Sequence, residues 1–276
     1  MSLQKKTLNL IQEAYNVLTE YNPMTLRQVY YQLVSKQVIE NKKSEYQRLD
    51  NALIVARKEG LIPYEWIEDR TRRPRDIPMW EDLSEFIEDI RYAYRKNIWS
   101  RQKNYVLVWV EKEALSEIFS KITNPYGVSL IVGRGYNSLS IKKELADRFK
   151  KIGKPIIILY FGDFDPSGED IYRDLIDSFS FFGTRPKIEK IALTKQQVEE
   201  YNLPFDFTKK SDARASKFIN KYGDMAVELD ALPIQVLQEL IKENIEKYLD
   251  AKAFNSVIAE EEKELTILDG WIKNIS

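Results

Sequence analysis

Three acidic side chains occupy positions from which carboxylates can hold a metal ion. Glu111 closes the apolar run VLVWVE, and Asp163 and Asp165 close IIILYFGDFD. If the second run continues as a strand through its end, the i, i+2 spacing of Asp163 and Asp165 directs both carboxylates to one side. Ligands of open parallel sheets collect at the carboxyl ends of the strands. Two such ends meeting at one edge would gather three oxygen donors, a set suited to a magnesium or manganese ion that keeps several waters. Such a centre supports in-line phosphoryl chemistry. An acid after a strand also serves as a helix cap or a turn residue. Glu113, Glu169 and Asp170 fit that simpler role, because they fall in first turns of expected helices, where the macrodipole favours negative charge.

The composition narrows the chemistry further. The 276 residues contain no histidine and no cysteine, which excludes Ser-His-Asp and Cys-His nucleophile systems, zinc fingers, thiolate clusters, disulfides and a histidine pH switch. Any metal must therefore be held by oxygen, which favours magnesium, manganese or calcium. A hydrophobic content of 43% is enough for one large domain or two ordinary ones. The longest apolar run, residues 156–161, is far short of the roughly 20 residues that span a bilayer. MSLQKK leads into a helical pattern without a signal-peptide core, so the expectation is a soluble cytoplasmic protein with no membrane partner.

The elements that must position the acids follow from periodicity. Leu8, Ile11, Ala14, Tyr15 and Leu18 recur at helical spacing until Asn22-Pro23, and Thr25 can cap a second helix, TLRQVYYQLVSK. A third helix begins near Ser44, carries Tyr46, Leu49, Leu53 and Ala56 on one stripe, and ends at Gly60. LIPYEWIEDRT then reads as a short strand and a turn. Three short helices and a strand suggest a winged helix-turn-helix module over residues 1–76, with a small helical bundle as the alternative. A charged amphipathic helix over 81–96 lies in a linker, 77–102. From Tyr105, short apolar runs alternate with helices as βαβαβαβ, which predicts an α/β domain over 103–195 with a mostly parallel sheet covered on both faces. Residues 196–276 read as a helical C-terminal extension, with DALPIQVLQELIKENIEKYL its clearest amphipathic segment.

Several basic residues are candidates for phosphate. Residues 1–75 hold 13 Lys+Arg against 9 Asp+Glu, leaving −5 for the rest of a chain whose formal charge is −1. A basic module joined to an acidic one suits a nucleic-acid binder fused to a carboxylate-rich centre. Arg70, Arg72, Arg73 and Arg75 in the connector TRRPRDIP, together with Lys112, are the expected phosphate contacts. GRGYNS, residues 133–138, has the G-x-G of a dinucleotide fingerprint but Ser138 at the third glycine and no acid about 20 residues on. It reads instead as a tight turn in which Arg134 faces a phosphate, or as a structural turn. In the second helix, Leu26, Val29, Tyr30 and Leu33 form the apolar face, which leaves Tyr31 turned away. Arg27 lies one turn from Tyr31, placed to stabilise a phenolate or a phosphate beside it. A surface tyrosine beside an arginine also occurs without any such role. KKSDAR, with Lys209, Lys210 and Arg214, is a further loop that could meet phosphate or simply face solvent.

Taken together, VEKEA at 110–114, GRGYNSL at 133–139 and FGDFDPSG at 161–168 resemble the Toprim domain. In that family the glutamate after the first strand and the DxD acids bind magnesium, which implies metal roles for Glu111, Asp163 and Asp165. Pro166, Gly168 and the GxGY turn resemble more narrowly the topoisomerase VI A subunit and its meiotic double-strand-break relatives. Those proteins place a winged-helix domain before Toprim, and its R-x-x-Y-Y segment carries the tyrosine that attacks DNA. TLRQVYY has that form, so the resemblance implies Tyr31 as nucleophile, Arg27 beside it and a 5′-phosphotyrosyl end. It also implies double-stranded DNA as substrate and a homodimer in which one subunit's tyrosine meets the other's metal site. No segment resembles the ATPase that gates strand passage, so that activity would need a separate partner protein. The chain is also similar to compact phage- or mobile-element-associated proteins and to the nuclease subunit of the Wadjet plasmid-defence system, which cuts DNA without a tyrosine. Its two alternatives are thus a Toprim nuclease using water and a DNA-binding protein that does not catalyse.

Overall fold

The computed structural model describes residues 5–67, 77–133, 139–208, 212 and 214–275, with side chains as far as Trp271. Three helices come first: α1 (Lys5–Tyr21), α2 (Leu26–Ser35) and α3 (Lys43–Lys58). Thr25 and Gln28 close a reciprocal capping box at the start of α2, satisfying two orphan donors. The strand expected after α3 does not form. Tyr64–Trp66 is instead a 3-10 turn, and the extended pairing of this segment, among the described residues, is one parallel bridge between Met24 and Ile67. Pro63 immediately before the turn favours this compact alternative to an extended run.

Helix α4 (Leu83–Ala93) is followed by the α/β region, with strands β1 (Tyr105–Val110), β2 (Ser129–Val132), β3 (Ile156–Phe161) and β4 (Lys187–Ala192). Between them run α5 (Ser116–Thr123), α6 (Leu139–Ile152) and α7 (Pro166–Phe181). The four strands form one sheet in the order β2-β1-β3-β4, every pair parallel. Because β1 and β3 are central, their sequences YVLVWV and IIILYF are apolar on both faces, as a doubly covered sheet requires. Leu107, Trp109, Ile158 and Tyr160 meet Leu145, Ala146 and Phe149 of α6 and Ile171, Leu175 and Phe179 of α7.

Val106, Val108, Val110, Leu159 and Phe161 face the opposite way. They share one continuous apolar core with α5, with α1–α3 and with α10 (Ile234–Glu246). The core thus runs from the N-terminal helices into the sheet without a break at the connector. Helices α8 (Lys195–Glu200), α9 (Ala215–Tyr222) and α11 (Ala251–Ile275) complete the helical C-terminal part. Among the described residues, no helix is long and apolar enough to cross a membrane.

Candidate metal centre

Strand register decides which side chains meet. Val110 lies opposite Phe161, and the amide of Glu111 donates to the carbonyl of Phe161 at 2.9 Å. Glu111 and the Gly162-Asp163 pair therefore emerge level, at the same end of adjacent strands. One Glu111 carboxylate oxygen, Oε2, accepts from the Asp163 amide at 3.2 Å and from the Tyr160 hydroxyl at 3.3 Å. A Cβ on Gly162 would press into the Tyr160 hydroxyl and come within 2.7 Å of that oxygen, so any larger residue there would displace these two side chains. Gly168 has the same role on the other side, since a Cβ there would press into the carbonyl oxygen of Asp163.

Asp165 takes part in folding as well. Its Oδ1 accepts from the Gly168 amide at 2.6 Å and caps α7, with Pro166 as the first helical residue. Cap and ligand are compatible roles for a carboxylate, because capping engages one oxygen of two. Glu169, also in the first turn of α7, pairs with Lys190 and accepts from the Tyr222 hydroxyl at 3.0 Å, in keeping with its simpler assignment.

The chain after α9 returns to this edge. Phe164 and Val227 exchange two backbone hydrogen bonds of 2.9 Å, an antiparallel bridge that delivers Glu228 and Asp230 beside Asp163. Lys112 joins them. Its ammonium donates to Glu228 Oε2 at 2.8 Å and to Asp230 Oδ1 at 2.7 Å and lies in an ion pair 3.1 Å from Asp163 Oδ1. Asp163 Oδ1 also accepts from the Leu229 amide at 2.7 Å. Lys112, expected from sequence to contact phosphate, is held here as the largely buried counter-ion of the acidic edge, its side chain 14% exposed.

From Glu228 and Asp230 the network reaches α2. Arg27 pairs with Glu228, and its Nε lies 3.4 Å from Asp230 Oδ2, a buried oxygen that accepts no hydrogen bond. The guanidinium also lies 5.7 Å from the Tyr31 ring centroid. Tyr31 is 8% exposed and belongs to the core, which corrects the expectation that it stands off the apolar face. Helix α2 is buried on more than one side, since Gln28, Val29, Tyr30, Tyr31, Gln32, Leu33 and Val34 are all buried. A single-face helical pattern does not apply to a helix packed between neighbours.

Charge follows burial. Burial raises the Glu111 carboxyl, and Asp165 adds to the rise; an Asp163 backbone hydrogen bond opposes it. Asp163 is pushed up to about 7, by burial first and by Glu111 and Asp230 as well, although Lys112 pulls the other way. Asp230 is raised by burial. Glu228 is the exception: burial would raise it, but Lys112 and Arg27 overcome this and hold it at about 2. The Tyr31 hydroxyl is raised by burial and by the charges of Glu228 and Asp230, which outweigh Arg27.

Five carboxylates, Glu111, Asp163, Asp165, Glu228 and Asp230, thus share this edge with the cations Lys112 and Arg27. When all are ionised the negative charge is in excess, which protons or a bound cation must offset. In donor type and charge the acids fit a divalent ion held by oxygen. Among the described residues, no three of them already surround a common point as a metal shell.

Sequence reasoning singled out Glu111, Asp163 and Asp165, which the sheet brings to one edge, but missed Glu228 and Asp230. The signal was available in V-E-L-D, residues 227–230, which repeats the i, i+2 acid spacing of D-F-D. Arg70, Arg72, Arg73, Arg75 and Arg134 lie outside the described residues, as do Lys209 and Lys210. Arg214 pairs with Asp212 and Asp170. Compared with known proteins, the chain matches no family model and no curated protein sequence.

Proposed function

We propose that this chain is a magnesium-dependent phosphodiesterase acting on double-stranded DNA, built as a winged-helix-like module followed by a Toprim-like centre, with water as the nucleophile. The observation that carries the reading is the pairing of Glu111 with Asp163 across adjacent strand ends, where burial raises both carboxyls, the charge of Asp165 adding to the rise at Glu111 and that of Glu111 to the rise at Asp163. Glu111, Asp163 and Asp165 would hold the ion, with manganese able to replace magnesium. When bound, a divalent ion supplies Lewis-acid stabilisation of the phosphate and a nucleophilic water near neutral pH.

The chain's own residues do the rest. Lys112 keeps Asp163, Glu228 and Asp230 in register, so the edge does not spread apart under its own charge. Gly162 leaves room for the Tyr160 hydroxyl and the Glu111 carboxylate, and Gly168 lets the first turn of α7 close on the Asp163 carbonyl. Arg27, with about half of its side chain exposed beside Glu228, offers a cation to an incoming phosphate.

Water is favoured over Tyr31 because attack by a phenol requires loss of its proton, and burial beside two carboxylates opposes the phenolate. The covalent alternative keeps one observation in its favour, the Arg27 guanidinium over the Tyr31 ring. End-labelled supercoiled and linear duplex DNA, incubated with protein and magnesium or EDTA and then denatured, separates the two. Free ends that persist in Tyr31→Phe and vanish in Asp163→Asn support hydrolysis. Protein attached to a 5′ end, lost in Tyr31→Phe, supports transesterification.

A further inference from the structure

Helix α4 carries an apolar stripe that the described residues cover only in part, the Trp80 ring packing edge-on against Phe86 with centroids 4.7 Å apart. Leu83, Phe86 and Ile90 follow i, i+3, i+7 spacing and are 58%, 37% and 40% exposed, and no residue of the helix is fully buried. Its one described helical neighbour at close range is α11, fixed antiparallel to it by Arg91 with Asp269, Tyr94 with Glu264 and Lys96 with Glu264. Ile267 and Trp271 of α11 are each 58% exposed. An apolar stripe on this scale marks an interaction surface.

Charge identifies the occupant. At about 100° per residue, Arg91 and α11 lie on one flank of the stripe, and Asp82, Glu85 and Asp89 lie on the other. Residues 81–96 and 260–271 together hold ten carboxylates against four bases; Arg91 and Lys96 neutralise Asp269, Glu260 and Glu264 within the pair, and Asp89 accepts from the Trp80 indole with one oxygen, which leaves the acidic flank of α4 in excess. A second copy is disfavoured. Antiparallel α4 helices would set acidic flank against acidic flank, and parallel ones would set that flank against the acidic α11 of the other copy. We propose that this face receives a cationic amphipathic helix of another protein, its apolar side on Leu83, Phe86 and Ile90 and its lysines or arginines against Glu85 and Asp89. This is the helix-in-groove mode, with i, i+3, i+7 anchors and a charged border that selects the partner.

Two fluorescein-labelled helical peptides of about five turns test the proposal by anisotropy, using the full-length protein. They share one leucine stripe and carry lysine or glutamate elsewhere. The lysine peptide should bind at least tenfold more tightly than the glutamate peptide and weaken as salt rises. Leu83→Asp with Ile90→Asp, both at exposed positions, should cost at least tenfold, and Glu85→Lys with Asp89→Lys should reverse the preference, with circular dichroism confirming retained helix. Equal binding of both peptides, or binding unchanged in the variants, would overturn the proposal. So would a dimer in sedimentation that Leu83→Asp with Ile90→Asp dissolves, which would assign the face to a second copy.

Discussion

Replacing Lys112 by methionine keeps the length of the side chain and removes the ammonium on which Asp163, Glu228 and Asp230 converge. Taking one partner from a buried ionic cluster costs about 3–5 kcal/mol, because the remaining charges stay desolvated. Arg27 still faces Glu228 and Asp230, so the lower part of that range is the more fitting. At roughly 2–4 °C per kcal/mol for a large domain, a cost of about 3–4 kcal/mol should lower the melting temperature by about 6–16 °C in metal-free buffer. The loss should shrink as pH falls from 7.5 to 5, since carboxylates left without a cation relieve their repulsion by taking up protons. A lysine that merely met phosphate in solvent would change stability by no more than about 0.5 kcal/mol. Differential scanning calorimetry of the two proteins across that pH range decides the matter. A shift below 2 °C, or one that does not change with pH, would refute the assignment of Lys112 as the buried counter-ion.

Further predictions concern the same edge. In EDTA the unaltered protein should melt higher at pH 5 than at pH 7.5. Asp163 titrates at about 7 when folded, above its ordinary carboxylate range, so folding takes up a proton in that window and stability declines as pH rises through it. Glu228, held at about 2, has the opposite sign, but its contribution is lost only as pH falls below the ordinary glutamate range; a lower melting point at pH 5 would contradict this ordering. Asp165→Asn should melt within about 0.5 kcal/mol of the parent, whereas Asp165→Ala should lose about 1 kcal/mol of helix capping; both should weaken manganese binding, and unchanged binding in titration calorimetry would leave Asp165 as a cap alone. Gly168→Ala should cost about 1–3 kcal/mol by overpacking and weaken manganese binding by displacing the Asp163 carbonyl; full retention of both would show that the loop yields without consequence.

Much of the α/β region was legible because its signals are local. Two apolar runs without polar alternation could only be doubly buried strands, and the acids that end them had to emerge where the strands end. Helix α2 was legible in its extent, from the Thr25 cap, but not in its surroundings. Tyr31 lies off the stripe that periodicity identifies, yet the 228–230 segment packs on it from almost two hundred residues away, and no local pattern records that. Lys112 was misjudged for a related reason. Next to Glu111 in sequence it resembles an exposed cation, and only the Phe164–Val227 bridge brings the carboxylates that enclose it. Glu228 and Asp230 were overlooked because they follow a short extended segment with no hydrophobic run to announce a strand end.

Titration calorimetry with manganese at pH 7.5 reads out whether Glu111 and Asp163 together hold a divalent cation. One saturable site should appear in the parent protein, compete with magnesium, raise the melting temperature with ligand concentration, and weaken at least tenfold in Glu111→Gln and in Asp163→Asn. Absence of binding in the parent, or binding that both variants retain, would contradict that joint role.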